Sequence, residues 1–221
     1  MIEETLRDIA IWAVPILAAI IFHEVAHGWV ANLLGDPTAA RMGRLTLNPI
    51  SHIDLFGTIL LPVLLIVGGA PFVFGYAKPV PVNFYNLRRP KRDMIWVALA
   101  GPATNILLAL LSVYVFKFVD VSGGFFPRSL AFVLTPLALM AHSSVNINVM
   151  LASFNLFPVP PLDGGRVLVG LLPQPYSSMV ARVEPFGFLI IIVLLMTHTL
   201  DTFIEPIVRF ILGILGALLI A

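Results

Sequence analysis

Residues 9–34 limit what this chain can fold into more than any other stretch. They are almost purely apolar, yet His23, Glu24 and His27 stand among them. A run of this length and character is a membrane span. A charged group at the centre of such a helix costs about 3 kcal/mol. Ionisable residues kept there therefore mark function. His23 and His27 are four apart, so on a helix they lie one turn above each other on one face.

The residues read His23-Glu24-x-x-His27. This is the H-E-x-x-H spacing of a zinc site whose glutamate serves as general base. The rest of the composition agrees with a membrane setting. Of 221 residues, 59% are hydrophobic and 11% charged, against about 25% charged in a soluble domain. A net charge of +1 gives no reason to expect a nucleic-acid partner. No cysteine is present, which excludes disulfides and thiolate ligands. Glu3, Glu4 and Asp8 beside Arg7 do not form the basic start of a cleavable signal. The first span is expected to stay uncleaved, since cleavage would discard the motif.

Gly35-Asp36-Pro37 ends the first span, and a loop with Arg41, Arg44, His52 and Asp54 follows. An acidic start and a basic loop place the N-terminus outside and the motif toward the cytoplasm. Residues 55–69 are apolar but short. Residues 70–83 alternate β-branched and aromatic residues with Gly and Pro, and read as extended chain. Arg88, Arg89, Lys91 and Arg92 form a second cytoplasmic marker. Both ends of 55–88 thus lie on one side, which predicts a re-entrant helix and β-hairpin near 55–83. Extended backbone at membrane depth must be buried in protein or line a wet cavity, so this insertion should pack beside the metal motif.

Three further segments complete the pattern. Residues 94–116 carry no charge but contain Gly101-Pro102 and Asn105, suited to close helix packing and an interhelical hydrogen bond. In 130–156, Ser144, Asn148 and Asn155 share one face and His142, Asn146 and Ser153 another. Pro158, Pro160 and Pro161 then break the helix before Leu162-Asp163-Gly164-Gly165-Arg166. Apolar stretches at about 183–200 and 202–220 close the chain, and alternation predicts a cytoplasmic C-terminus. The expected fold is an all-α polytopic membrane protein with five to six hydrophobic segments. It forms one integral membrane domain over 1–221, with a core at about 5–175 and a helix pair at about 176–221.

A catalytic zinc takes three protein ligands and keeps one position open. His23 and His27 supply two. Asp163 is the first choice for the third, being just past a broken helix end at the depth of the histidines. Glu184, His142, His52 and Asp54 stay open as rivals.

His23-Glu24-x-x-His27 in an apolar helix, followed by Asn155-Leu156-Phe157-Pro158-Val159-Pro160-Pro161-Leu162-Asp163-Gly164-Gly165-Arg166, resembles the site-2 protease family of intramembrane zinc metalloproteases. Gly101-Pro102 with Asn105 matches a third helix of that family's core. The resemblance is to the small branch without PDZ or CBS domains. It implies Asp163 as third ligand of one zinc ion per chain. It also implies a transmembrane protein or peptide as substrate, in a prokaryotic cell membrane.

Glu24 would take the proton of the attacking water and pass it to the leaving nitrogen. Asn148 is a candidate oxyanion donor, and Asn155 a candidate for orienting the Asp163 loop; the two roles are interchangeable at this level. A substrate helix must unwind before its carbonyls are reachable. Pro79 and Pro81 remove donors from one edge of 78–83, while Val80 and Val82 keep donor and acceptor on the other. That free edge is a candidate clamp for the unwound substrate by strand addition. The rival from another class is a membrane transporter or metal-handling protein, since intramembrane His, Asn and Asp also line ion paths. An inactive relative that only binds membrane proteins is a third reading, against which the intact His23, Glu24, His27 and Asp163 argue.

Overall fold

The computed structural model describes residues 2–69, 75–122 and 128–220. Helices α1 (Ile2–Leu33) and α2 (Thr38–Arg41) open the chain. A wide π turn over Leu55–Leu60 leads into α3 (Leu61–Val67). Then come α4 (Pro90–Ser122), α5 (Ala131–Asn155), α6 (Asp163–Leu171), α7 (Tyr176–Ala181), α8 (Glu184–Met196) and α9 (Thr199–Ile220). The described residues contain no strand, in line with the all-α expectation.

Local chemistry sets the boundaries. Asp54 accepts hydrogen bonds from the Phe56 and Gly57 amides and starts the turn into α3. Pro90 stands first in α4, where its missing N–H is not needed. The Asp93 carboxylate reaches back to the Arg89 amide there, at 2.8 Å. At the end of α5 the prolines stop the helix, and the chain turns directly into α6. A Cβ on Gly164 would collide with the Leu156 carbonyl, and one on Gly165 with the backbone at Val159–Pro160. Only the Gly-Gly pair lets the start of α6 lie against that turn.

Three described helices are long and apolar enough to cross a membrane: Ile9–Leu33, Pro90–Val121 and Ala131–Asn155. Hydrogen bonds from Asn105 to the Ala19 carbonyl and from His27 to the Val97 carbonyl set α1 antiparallel to α4. Pairs Asn105–Asn148 and Ser112–Ser144 set α5 antiparallel to α4. Many buried positions along these helices are small or polar, including Ala19, Ala109, Ala152, Asn105, Asn148 and Ser153. Large apolar side chains such as Trp12, Leu107, Phe118 and Phe132 point outward. Lipid is as apolar as leucine, so close packing and interhelical hydrogen bonds hold spans together.

The last two apolar stretches depart from the alternating pattern. Helices α8 and α9 form one bent pair with an 81° angle between them. The break lies at Thr197–His198, where His198 takes a positive φ of 54°. Gly187 of α8 sits so close to the Pro160 carbonyl that a Cβ would collide. The Phe203 ring of α9 meets Phe157, just past α5, at 6.2 Å. The other end of α9 reaches Lys117 of α4, whose ammonium donates to the Leu218 carbonyl at 3.3 Å. Thus α8 lies across the end of the bundle that holds the α5–α6 turn, and α9 alone runs its length. The C-terminal residues of α9 therefore lie at the bundle end opposite that turn, not on the same side as expected.

In the 55–83 insertion the helical half is present, and 75–83 is extended without forming a ladder among the described residues. The tip of the expected hairpin, 70–74, lies outside them. Tyr76 donates to the Gly57 carbonyl at 3.0 Å and Lys78 to the His52 carbonyl at 2.9 Å. Val80, next in that alternation, turns its N–H to the Glu24 carboxylate instead.

Candidate metal centre

Helix α1 presents His23 and His27 on one face, as their spacing predicts, and α4 packs against that face. Their rings meet edge to face, 4.6 Å apart. The contact is close because position 101 is glycine. A Cβ there would lie 2.6 Å from His23 Nε2 and would also collide with His27 Nε2. Gly101 thus leaves room for both imidazoles where any larger residue would occupy it.

Hydrogen bonds define the two tautomers. His27 Nδ1 lies 2.6 Å from the Val97 carbonyl oxygen. A carbonyl can only accept, so Nδ1 carries the proton and Nε2 is a bare lone pair. His23 Nδ1 lies 2.6 Å from Asn105 Oδ1. The Asn105 amide nitrogen donates to the Ala19 carbonyl at 3.2 Å and to Asn148 Oδ1 at 2.8 Å. That orientation makes Oδ1 the acceptor, so His23 Nδ1 also carries its proton.

Two unprotonated Nε2 atoms then face each other at 3.0 Å. Asp163, at the first position of α6, places Oδ2 at 3.2 Å from His23 Nε2 and 3.3 Å from His27 Nε2. This oxygen is buried and finds no hydrogen-bond donor. Three acceptors that converge without a donor repel one another unless a cation sits among them. Ligands at about 2.0–2.1 Å from a tetrahedral zinc stand about 3.3 Å apart, which is the size of this triangle. The donor set, two neutral imidazoles and one carboxylate, suits zinc. As a metal ligand the aspartate must be ionised.

Glu24 follows His23 on α1 and turns toward the extended segment 75–83. The Val80 amide donates to its Oε2 at 2.8 Å. Val80 is buried, and Gly28 makes room for it: a Cβ at position 28 would come within 2.5 Å of Val80 Cγ1. The segment is held at several points. Arg44 donates to the Lys78 and Pro79 carbonyls at 3.0 and 3.3 Å. Further on, the Asn83 amide donates to Asp36 Oδ2 at 2.6 Å. Asp36 is fully buried and also accepts from the Thr38 hydroxyl and amide and from Asn86 Nδ2. Burial pushes its pKa up; these four donors outweigh that and hold it below the ordinary value.

Among the described residues, His23, His27 and Asp163 are the group of side chains positioned to share a metal ion. The rivals for the third ligand are engaged elsewhere. Glu184 pairs with Arg166 at 3.5 Å, His52 Nε2 donates to the Thr46 carbonyl at 2.8 Å, and Asp54 caps the turn into α3. His142 stands beside Phe116 on a cavity of about 190 Å³ between α4, α5 and α9. Asn148 spends its amide on Asn105 and Ser144. Asn155 donates to the Leu151 carbonyl at 2.9 Å. Val82 packs against the buried cluster of Ala31, Leu87 and Val97. Sequence reasoning read Gly101 and Asn105 as packing residues. Their four-residue spacing, one face of one helix, was the available signal that they act together.

Known proteins bear on the same residues. The sequence profile of peptidase family M50 matches residues 11–139 and 127–198. The chain is 36% identical over 184 residues to the zinc metalloprotease candidate YwhC of Bacillus subtilis, covering 83% of this chain and 79% of that one. It is 30% identical to the zinc metalloprotease candidate Rip2 of Mycolicibacterium smegmatis, over 84% of this chain and 66% of that one. Zinc metalloprotease MJ0392 of Methanocaldococcus jannaschii is 23% identical over 76% of this chain and 37% of its own. No solved structure matches. On a profile match reaching from residue 11 to residue 198 and relatives aligned over most of its length, this chain belongs to peptidase family M50, the site-2 protease family of zinc metalloproteases.

Proposed function

We propose that this protein cleaves peptide bonds in or near the transmembrane segments of membrane proteins. His23, His27 and Asp163 are the zinc ligands and Glu24 is the general base. The observation that carries this reading is the triangle of three lone-pair donors at zinc spacing, with the Glu24 carboxylate next to His23 in a helix of membrane-span length. Bound at those atoms, zinc supplies a Lewis acid for the scissile carbonyl and acidifies water. Glu24 accepts the proton of the attacking water and delivers it to the leaving nitrogen. Asn105 and Asn148 hold His23 in its ligating tautomer; this assigns Asn148 an orienting role, since its own donors are already spent.

The Val80 amide points at Glu24, so the edge of 78–83 that keeps its N–H groups faces the site. A substrate strand pairing along that edge takes the Val80 N–H onto its own carbonyl. Glu24 is released as the substrate arrives. The basic residues Arg88, Arg89, Lys91 and Arg92 support a site open toward the cytoplasm.

Two variants test this. Glu24→Gln should retain one zinc per chain and lose cleavage of a membrane-spanning test substrate in liposomes. Zinc or other metal transport into vesicles that survives Glu24→Gln would instead favour a transporter. Val80→Pro should slow cleavage of the membrane substrate at least tenfold, roughly the worth of one or two lost backbone hydrogen bonds. Unchanged cleavage would remove the clamp while leaving the zinc chemistry standing.

A further inference from the structure

The three ligand side chains come from two elements, His23 and His27 from α1 and Asp163 from α6. Hydrogen bonds tie the extended segment beside them to α1 and the loop after it. Val80 lies on Glu24, Arg44 holds the Lys78 and Pro79 carbonyls, and Asn83 lies on Asp36. Substrate pairing takes Val80 off Glu24, so one of these ties is given up on binding. Whatever holds the segment from the α6 side then governs how it stands over Asp163.

Arg166 reaches the segment from that side. It follows Asp163 by three residues in the first turn of α6, about 4.5 Å further along the helix and on the same side. Its guanidinium carbon lies over the Phe84 ring, 5.3 Å from the ring centre, within the range of a cation–π contact. Phe84 opens the short turn Phe84–Asn86 that closes the segment. It packs with Val82 against the buried cluster of Ala31, Leu87 and Val97, so the ring moves only if the segment moves. On its other side Arg166 pairs with Glu184, the first residue of α8, at 3.5 Å. Both partners are partly exposed, so the pair adds little attraction. It keeps the planar guanidinium turned toward the ring.

We propose that Arg166 is a positioning residue that sets which peptide bond of the substrate is cut. The proposal rests on the reading of 78–83 as a strand-addition clamp. A strand advances about 3.3 Å per residue. A substrate paired to the clamp moves with it, so a drift of that size brings the neighbouring peptide bond to the metal centre. With Arg166 over Phe84, the segment is held between α1 and α6, the two elements that carry the ligands, and one register is favoured. Arg166 acts through Phe84, not on the ligand atoms.

The test reads the position of the cut as well as its rate. Full-length protein in liposomes cleaves a membrane-spanning test substrate, and the product ends are identified by mass spectrometry. Wild type should cut chiefly at one bond. Arg166→Ala should raise the ratio of cuts at neighbouring bonds to cuts at that bond about two- to fivefold, the worth of a partly exposed cation–π contact. Zinc should stay at one per chain. Phe84→Leu, which keeps the bulk but has no π face, should do the same and covers the case in which Arg166→Ala fails to insert. Phe84→Tyr keeps the face and should keep the wild-type bond. Arg166→Ala combined with Phe84→Leu should scatter the cut no more than either alone, because the two residues act through one contact. Slower cleavage at an unchanged bond in both single variants would overturn the proposal and leave the zinc chemistry standing. So would scatter that adds up in the double variant. A wild type that cuts no more than Glu24→Gln would remove the proteolysis reading itself, and this proposal with it.

Discussion

At the scale of single residues, the metal centre depends on two positions that bear no ligand. Gly101 leaves the space in which the two Nε2 atoms meet, and a methyl group there would contact His23 Cε1 at 2.5 Å. Gly101→Ala should therefore lower zinc content from one per chain toward none while the protein stays inserted and helical, checked by metal analysis and circular dichroism. Asn105 acts through hydrogen bonding rather than space. It fixes the His23 tautomer and is itself fixed by Ala19 and Asn148. Partners of this kind typically contribute 10- to 100-fold, roughly, in metal affinity. Asn105→Ala should weaken zinc binding by about that factor in a chelator competition. Asn105→Asp should weaken it less, because a carboxylate can still accept from Nδ1.

At the scale of elements, the segment 75–86 is held against α1 and the turn after it at two main anchors. One is Val80 on Glu24 and the other is Asn83 and Asn86 on Asp36. Since only two residues separate Val80 from Asn83, the hold on Asp36 helps set how the Val80 amide meets Glu24. The native pKa of Asp36 lies below its ordinary value of 3.8. Its stabilisation is therefore complete above that ordinary value and is lost as pH falls through the depressed native one. Asp36→Asn should be less stable than wild type near neutral pH, and the gap should narrow below pH 3.8. Thermal unfolding in mild detergent across a pH series measures both. A gap that stays constant with pH would show that the charge of Asp36 contributes nothing.

At the scale of the whole molecule, α1, α4 and α5 form the frame that brings the two motifs together, with α6 lying on α4 and α8 across one end. The start of α1 and the end of α9 lie at the bundle end away from His23, His27 and Asp163. A thiol introduced at either end of the cysteine-free chain should react with an impermeant maleimide from the same side. Lys91→Cys should react only from the other. Opposite labelling of the two ends would mean that α8 crosses as well.

The sequence by itself determined the chemistry and its solvent. Apolar runs interrupted by few charges dictate helices in a membrane. His23, Glu24 and His27 share a helix, so their geometry follows from local spacing alone. Asp163 could be singled out because prolines and glycines around it can form only a turn into a helix. Position in space was another matter. Glu184, His52 and Asp54 carry the right atoms and were eliminated only by where the fold put them. The meaning of Gly101 and Asn105 depended on a neighbour 78 and 82 positions away, and no local period records which helix a residue will meet. The course of α8 and α9 likewise depended on a break at His198 and on Gly187 seating against Pro160. Hydropathy measures how much a segment prefers lipid; the angle at which it enters is set by what it packs against.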